Sequence, residues 1–161
     1  MLVDKNNIPK LKRKVKELTK RKIRIGVLGN QELAMVAGSN EYGIKIKVTE
    51  KMRKYLHILG LHLKKTTKFI IIPERSFLRK SFDDKKNISK VMNIAEGIFK
   101  NELVGRITNK IGVFMTGAIQ NKIKSNIPPG NHPFTVTRKD GKNKTLVDKG
   151  RLGQGISHKV V

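Results

Sequence analysis

The chain of 161 residues has no cysteine and no tryptophan. Without thiols there is no disulfide framework, no thiol catalysis and no cysteine-based zinc site. Aromatic residues make up 5% and apolar residues 37%. The core is therefore aliphatic and modest, and part of the chain is expected to be exposed or to be buried only against partners. Acidic residues are also scarce, 12 against 36 Lys plus Arg, for a net charge of +24. No carboxylate pair is placed as a two-metal nuclease would need. No apolar run approaches eighteen residues, so no membrane span is expected. The start, Met1-Leu2-Val3-Asp4-Lys5, lacks the apolar segment of a signal peptide. These absences lead to the expectation of a soluble protein made in the cytoplasm, with no cofactor, no metal and no membrane contact.

The length fits a single domain, 1–161, that can bury an ordinary core. The charge excess favours polyanions or acidic partners. Nucleic acid is one candidate, although lysine greatly outnumbers arginine and specific phosphate or base readout usually uses arginine forks. A set of solvated lysine-rich faces is the plainer alternative.

Residues 7–20 read as a helix with Ile8, Leu11, Val15 and Leu18 on one side. Asn7 can cap it and Pro9 suits its first turn. Its other face carries Lys12, Arg13 and Lys16, a candidate basic face within an N-terminal basic helix over 1–21. Residues 22–28 alternate as a half-buried strand. Residues 32–37 fit either a returning strand or a short helix, and Gly38 to Gly43 carries turn chemistry. Residues 44–48 form a second strand. Thr49 caps a short helix that Gly60 stops. Ile70-Ile71-Ile72 ends at Pro73, which cannot donate to a ladder. Residues 44–72 therefore read as a projecting β-excursion, with eleven cations against two glutamates between 45 and 80.

The Ile72-Pro73-Glu74-Arg75-Ser76-Phe77-Leu78-Arg79 stretch joins this excursion to a helical layer. Phe77, with Leu78 and Phe82, is expected to seat that layer on the sheet. Arg75 and Arg79, four apart, would share a face if the chain is helical there. Residues 84–103 read as a long helix capped by Asp83 or Asp84, and 106–125 as a second, with Gly112 and Gly117 allowing close approach. Pro128-Pro129-Gly130 ends it. Residues 127–161 read as an extended C-terminal arm with sparse anchors Phe134, Val136 and Leu146, an Asp140-Gly141 turn, a helical turn capped by Asp148, and a strand-like end from Ile156. The fold class is α+β: a small, mostly antiparallel sheet against two long helices.

No catalytic motif accompanies this layout. His57 and His62 are five apart, off a common helix face, and no HExxH spacing occurs. Ser76 and Ser81 lack a nucleophile-elbow context. Gly150-Arg151-Leu152-Gly153-Gln154-Gly155 has no strand-to-helix setting for a dinucleotide. The chain reads as a non-enzyme. Tyr42, Phe69, Phe77, Phe82 and Phe134 lie near cations, as a single-strand stacking surface would require, or serve as core and interface residues.

Three blocks resemble the virion-morphogenesis, or tail-completion, proteins of tailed bacteriophages, including the Mu-like group. The first is Leu33-Ala34-Met35 leading to Asn40-Glu41-Tyr42-Gly43 and then Ile46-Lys47-Val48-Thr49-Glu50-Lys51-Met52-Arg53. The second is Ile72 to Arg79. The third is Thr137-Arg138-Lys139, the Gly141 turn, Leu146-Val147-Asp148, Gly150, Leu152 and Ile156-Ser157. The chain departs at Asp148-Lys149-Gly150, where the family usually reads Asp-Thr-Gly, and at Gly155, where a small polar residue is common. The resemblance implies a structural subunit of the neck or tail, in a ring often of six copies around the DNA passage. Its partners would be the tail terminator or tail tube and the neck connector, with nonspecific contact to passing DNA. It implies a place in the virion, with Arg75, Arg79, Arg138, Lys139 and Arg151 as candidate subunit or partner contacts. A free-standing basic nucleic-acid-binding protein is the alternative.

Overall fold

A computed structural model describes residues 7–100 and 102–161. The first six residues of the expected basic N-terminal segment therefore lie outside the described residues. Helix α1 (Ile8–Lys20) follows the predicted apolar spacing, with Pro9 in its first turn. Asn7 does not cap it through its side chain. Its own backbone is already helical (φ −85°, ψ −2°), so the side chain is misplaced for the first free N–H groups. Strand β1 (Ile23–Val27) comes next. Helix α2 (Gln31–Tyr42) then resolves the ambiguity at 32–37 and runs on through the expected turn at 38–42. Asn30 caps it by accepting the Leu33 N–H at 2.9 Å. Ser39 and Asn40 donate back to the carbonyls of Met35 and Val36, at 2.8 Å each, so these turn-prone residues are satisfied inside the helix. Gly43 stops it at φ 70°. A Cβ there would meet the Glu74 backbone nitrogen at 3.0 Å, so both the backbone angle and the close approach favour glycine.

The excursion consists of β2 (Ile44–Lys47), α3 (Glu50–Ile58) and β3 (Phe69–Ile72). Its strands are antiparallel, with Ile44 opposite Ile72 and Lys47 opposite Phe69. Thr49 caps α3 through the Met52 N–H, as its position predicts. The Arg53 guanidinium gathers the carbonyls of Leu63, Lys64 and Thr67 and so pins the return loop. No residue from 44 to 72 is buried. Apolar Ile58 and Ile71 are 80% and 69% exposed, so this unit leaves uncovered surface that the main core does not use.

After Pro73 the chain forms α4 (Leu78–Phe82), α5 (Lys85–Ala95), a single 3-10 turn (Glu96–Ile98) and α6 (Val104–Lys124). Asp84 caps α5 by accepting the Lys86 N–H at 2.9 Å. The single helix expected over 84–103 is shorter: α5 ends at Ala95. The Gly97 carbonyl takes the N–H groups of both Lys100 and Glu102, which folds the chain toward α6 instead of prolonging the helix. Along α6, Ile107, Met115, Ile119 and Ile123 are buried at helical spacing.

The C-terminal arm is not extended. It contains α7 (Pro133–Arg138), α8 (Arg151–Gln154) and β4 (Ile156–Val160). Strand β4 runs antiparallel to β1, with Ile23 opposite Val160 and Val27 opposite Ile156. A lone terminal strand leaves its polar backbone unpaired, and β1 supplies the missing partner. Leu146, Leu152 and Ile156 then enter the same core as Ala37, Phe77, Ile119, Ile123 and Ile127. Phe77 is fully buried there, in the packing role expected for it. Asp148 caps nothing; Gly150, left-handed at φ 79°, holds the residue position before α8. The α+β class therefore holds, with the antiparallel pairing divided between two separate two-stranded ladders, β1–β4 and β2–β3.

Candidate functional site

The joint at residues 73–79 is organised by Glu41, which lies in the last turn of α2 and not in a turn as the local sequence suggests. Its carboxylate is 1% exposed. Oε1 accepts from Ser76 Oγ (2.6 Å), Arg79 N (3.0 Å) and Arg79 Nε (3.1 Å). Oε2 accepts from the N–H groups of Phe77 and Leu78, both at 2.8 Å. Burial by itself would make such a carboxyl harder to ionise. The donors from Ser76, Arg79, Leu78 and Phe77 together outweigh it and hold the Glu41 carboxyl below its ordinary value near 4.5. The last turn of α2 thus supplies the anion that caps the first turn of α4.

Arg79 completes this knot. Its Nη2 donates to the Glu41 carbonyl at 2.9 Å and to Glu74 Oε1 at 2.8 Å, and its guanidinium lies 4.8 Å over the Tyr42 ring. The bond to the Glu41 carboxylate makes the Arg79 guanidinium hold its proton more firmly than usual, against some desolvation, with Glu74 adding.

Arg75 does not share a helical face with Arg79, because α4 begins only at Leu78. It points the other way and is 7% exposed. Its Nε donates to the Pro129 carbonyl at 2.8 Å and its Nη2 to that of Gly130 at 3.0 Å, while its N–H donates to the Asn40 carbonyl at 2.7 Å. As a subunit contact Arg75 is corrected to an internal strut tying α2, the joint and the C-terminal arm. Lys139 is likewise turned inward: its Nζ donates to the carbonyls of Lys144, Thr145 and Val147 at 3.1–3.2 Å. Burial lowers its proton affinity; Asp148 opposes this and Arg75 adds to it. Long cations satisfy several carbonyls of an irregular loop at once, a use that their sequence position does not reveal.

Arg75 and Lys139 form part of one wall of an open cleft of about 960 Å³. The opposite wall is the excursion, including Leu61, Leu63 and all four residues of β3. Leu33 and Val36 of α2 contribute to the lining, and Lys149 and Arg151 join from the arm. Arg151 remains largely exposed, 3.9 Å from Glu32. Arg138 is exposed on α7, and Lys12, Arg13 and Lys16 are exposed on α1, away from any one cluster.

The aromatic residues do not assemble into one stacking platform. Phe77 is in the core, Tyr42 lies under Arg79, and Phe69 lies under Lys45 at 4.2 Å. His57 and His62 do meet, contrary to their spacing. Gly60, at φ 91°, turns the chain back after α3 and brings their Nδ1 atoms to 2.7 Å. One ring donates to the other at this distance. Among the described residues no group of three or more His, Asp or Glu side chains could hold a metal ion, and no helix is long and apolar enough to cross a membrane.

Glu41 is the functional-looking residue that helix and strand patterning missed. The signal that could have found it is the pairing of two resemblance blocks, Asn40-Glu41-Tyr42-Gly43 and Pro73 to Arg79, which are in direct contact. Comparison with protein-family models, curated proteins and solved structures gives no match to this chain.

Proposed function

We propose that this protein is a non-catalytic structural subunit of a phage neck or tail. It would complete the tail or join it to the head-proximal connector, as a ring around the DNA passage within the virion. The observation that carries the proposal is the convergence of the three resemblance blocks. Glu41 of the first holds residues 76–79 of the second. Arg75 of the second and Lys139 of the third line the same cleft. Residues far apart in the chain thus build one surface feature. The unburied apolar residues of the excursion support an assembling role, because a neighbour in a ring can cover what one subunit leaves open.

Light scattering behind size exclusion, over a range of protein concentrations, tests this reading together with co-expression of tail components. A ring-sized species, or incorporation into particles seen by electron microscopy, is the expected result. A monomer at every concentration that never enters particles refutes it. The charge of +24 keeps a nucleic-acid-binding reading in the same experiment. That reading predicts a monomer or dimer that binds DNA or RNA tightly and loses affinity steeply with salt.

A further inference from the structure

Among the described residues no strand pairs with the outer edge of the excursion, and the cleft lies against that edge. Val48 N–H donates to the Lys68 carbonyl at 2.9 Å, so these two residues form a hydrogen-bonded antiparallel pair. With Ile46 opposite Ile70 and Ile44 opposite Ile72, alternation makes those pairs hydrogen-bonded as well. Phe69 and Ile71, opposite Lys47 and Lys45, fall in the other class. Their N–H and C=O groups point away from β2. The ladder has only two strands, so nothing in it receives them. The cleft touches all four residues of β3 and none of β2. Side chains of a strand alternate between faces, so a cavity that meets four successive residues meets the strand's edge.

The facing wall carries an excess of positive charge, Arg75, Lys139, Lys149 and Arg151 against Glu32 and Asp148. Arg75 and Lys139 are satisfied by backbone carbonyls only, and no carboxylate lies within ion-pair distance of either among the described residues. Lys149 and Arg151 add charge at the rim, against Glu32 and Asp148. Carbonyl dipoles neutralise such cations less fully than a carboxylate does, so an incoming anion is attracted to this wall.

We infer that the cleft accepts an extended, acidic segment of a partner polypeptide as a third strand on the free edge of β3. The edge supplies main-chain hydrogen bonds, Leu33, Leu61 and Leu63 receive alternate apolar side chains, and the basic wall receives the carboxylates. A second copy of this chain fits poorly as the source of the strand, since its 12 acidic residues are scattered and Asp83-Asp84 is the only adjacent pair. A nucleic-acid strand offers no peptide groups to the edge and no side chains to the leucines. The inference goes beyond the assembly reading and does not require it, because an acidic partner of any origin would serve.

The probe is an eight-residue peptide alternating glutamate with valine, titrated into the full-length protein at low salt by calorimetry. Amide hydrogen exchange at Phe69 and Ile71 is read by NMR. Binding with new protection at those two amides is expected. Ile71→Pro removes one outward N–H without touching the β2 ladder, and should weaken binding about tenfold. Lys149→Glu with Arg151→Glu should weaken it at least as much. If Ile71→Pro does not fold, the same test is made from the other side, with a peptide N-methylated at alternate amides, which should not bind. Equal affinity for the methylated peptide, absence of binding at millimolar peptide, or competition by an oligothymidylate of equal charge each overturns the inference.

Discussion

Replacing Glu41 with glutamine should destabilise the protein by about 2–4 kcal/mol, and the geometry says why. Each carboxylate oxygen serves at least two donors: Oε1 receives Ser76 Oγ, Arg79 N and Arg79 Nε, and Oε2 receives the N–H groups of Phe77 and Leu78. A glutamine keeps one oxygen and turns an NH₂ group toward the other set. In either orientation at least two donors face a donor instead of an acceptor. An unsatisfied buried donor costs about 1–3 kcal/mol. Leu78 is only partly buried, so its share falls in the lower part of that range. The sum is a sizeable part of the roughly 5–15 kcal/mol by which a domain of this kind is stable. Urea unfolding followed by circular dichroism measures it, as a lower midpoint with an unchanged slope. The pH dependence gives a second check. Glu41 titrates below its ordinary value in the folded state, so its contribution is present above the unfolded value and disappears as pH falls through the folded one. The gap between wild type and Glu41→Gln should therefore be widest near neutral pH and close in acid. A change below about 0.5 kcal/mol at neutral pH, the range of an ordinary surface substitution, would refute the capping role.

Phe77→Ala should cost about 3–5 kcal/mol by the same unfolding measurement, because the ring is fully buried against residues of α2, α6 and the arm. Gly112→Ala should cost about 1–3 kcal/mol, since a Cβ there collides with the His158 ring, which is held between Thr116 and Asn109. Adding His158→Ala should recover part of that loss, and a strictly additive double variant would contradict the clash. Reversal of Lys12, Arg13 and Lys16 to glutamate should leave stability within about 0.5 kcal/mol, as all three are exposed. A shallower salt dependence of DNA retention in that variant would show that α1 contacts phosphates; unchanged retention and assembly would make it a solvated face.

The strands at 23–27, 44–47 and 69–72 and the helix at 104–124 were legible because their signals are local. A residue's preference for strand or helix shows in neighbours two to four positions away, and caps such as Thr49 and Asp84 act over the same range. The helix over 31–42 was only half legible. Gly38, Ser39 and Asn40 are ordinarily turn residues, and the helix continues through them because Ser39 and Asn40 find acceptors one turn back while Glu41 is anchored from outside. The arm's apolar residues are too sparse to announce a core, which is why its sequence suggests an extended segment. Those few nevertheless supply Ile127, Leu146, Leu152 and Ile156, four of the eight buried residues of the cluster, so the core closes only when the arm folds back.

By itself the sequence determined the α+β class, the aliphatic core, the strong positive charge, the strand ending at Pro73 and the burial of Phe77 at the joint that follows. Only the tertiary structure decided that β4 pairs with β1, that Glu41 binds a segment 35 residues away, and that Arg75 reaches carbonyls 54 residues away instead of standing beside Arg79. Those choices depend on which polar groups are left without partners once the chain has collapsed. No local spacing encodes that, and burial makes leaving any of them unpaired too costly.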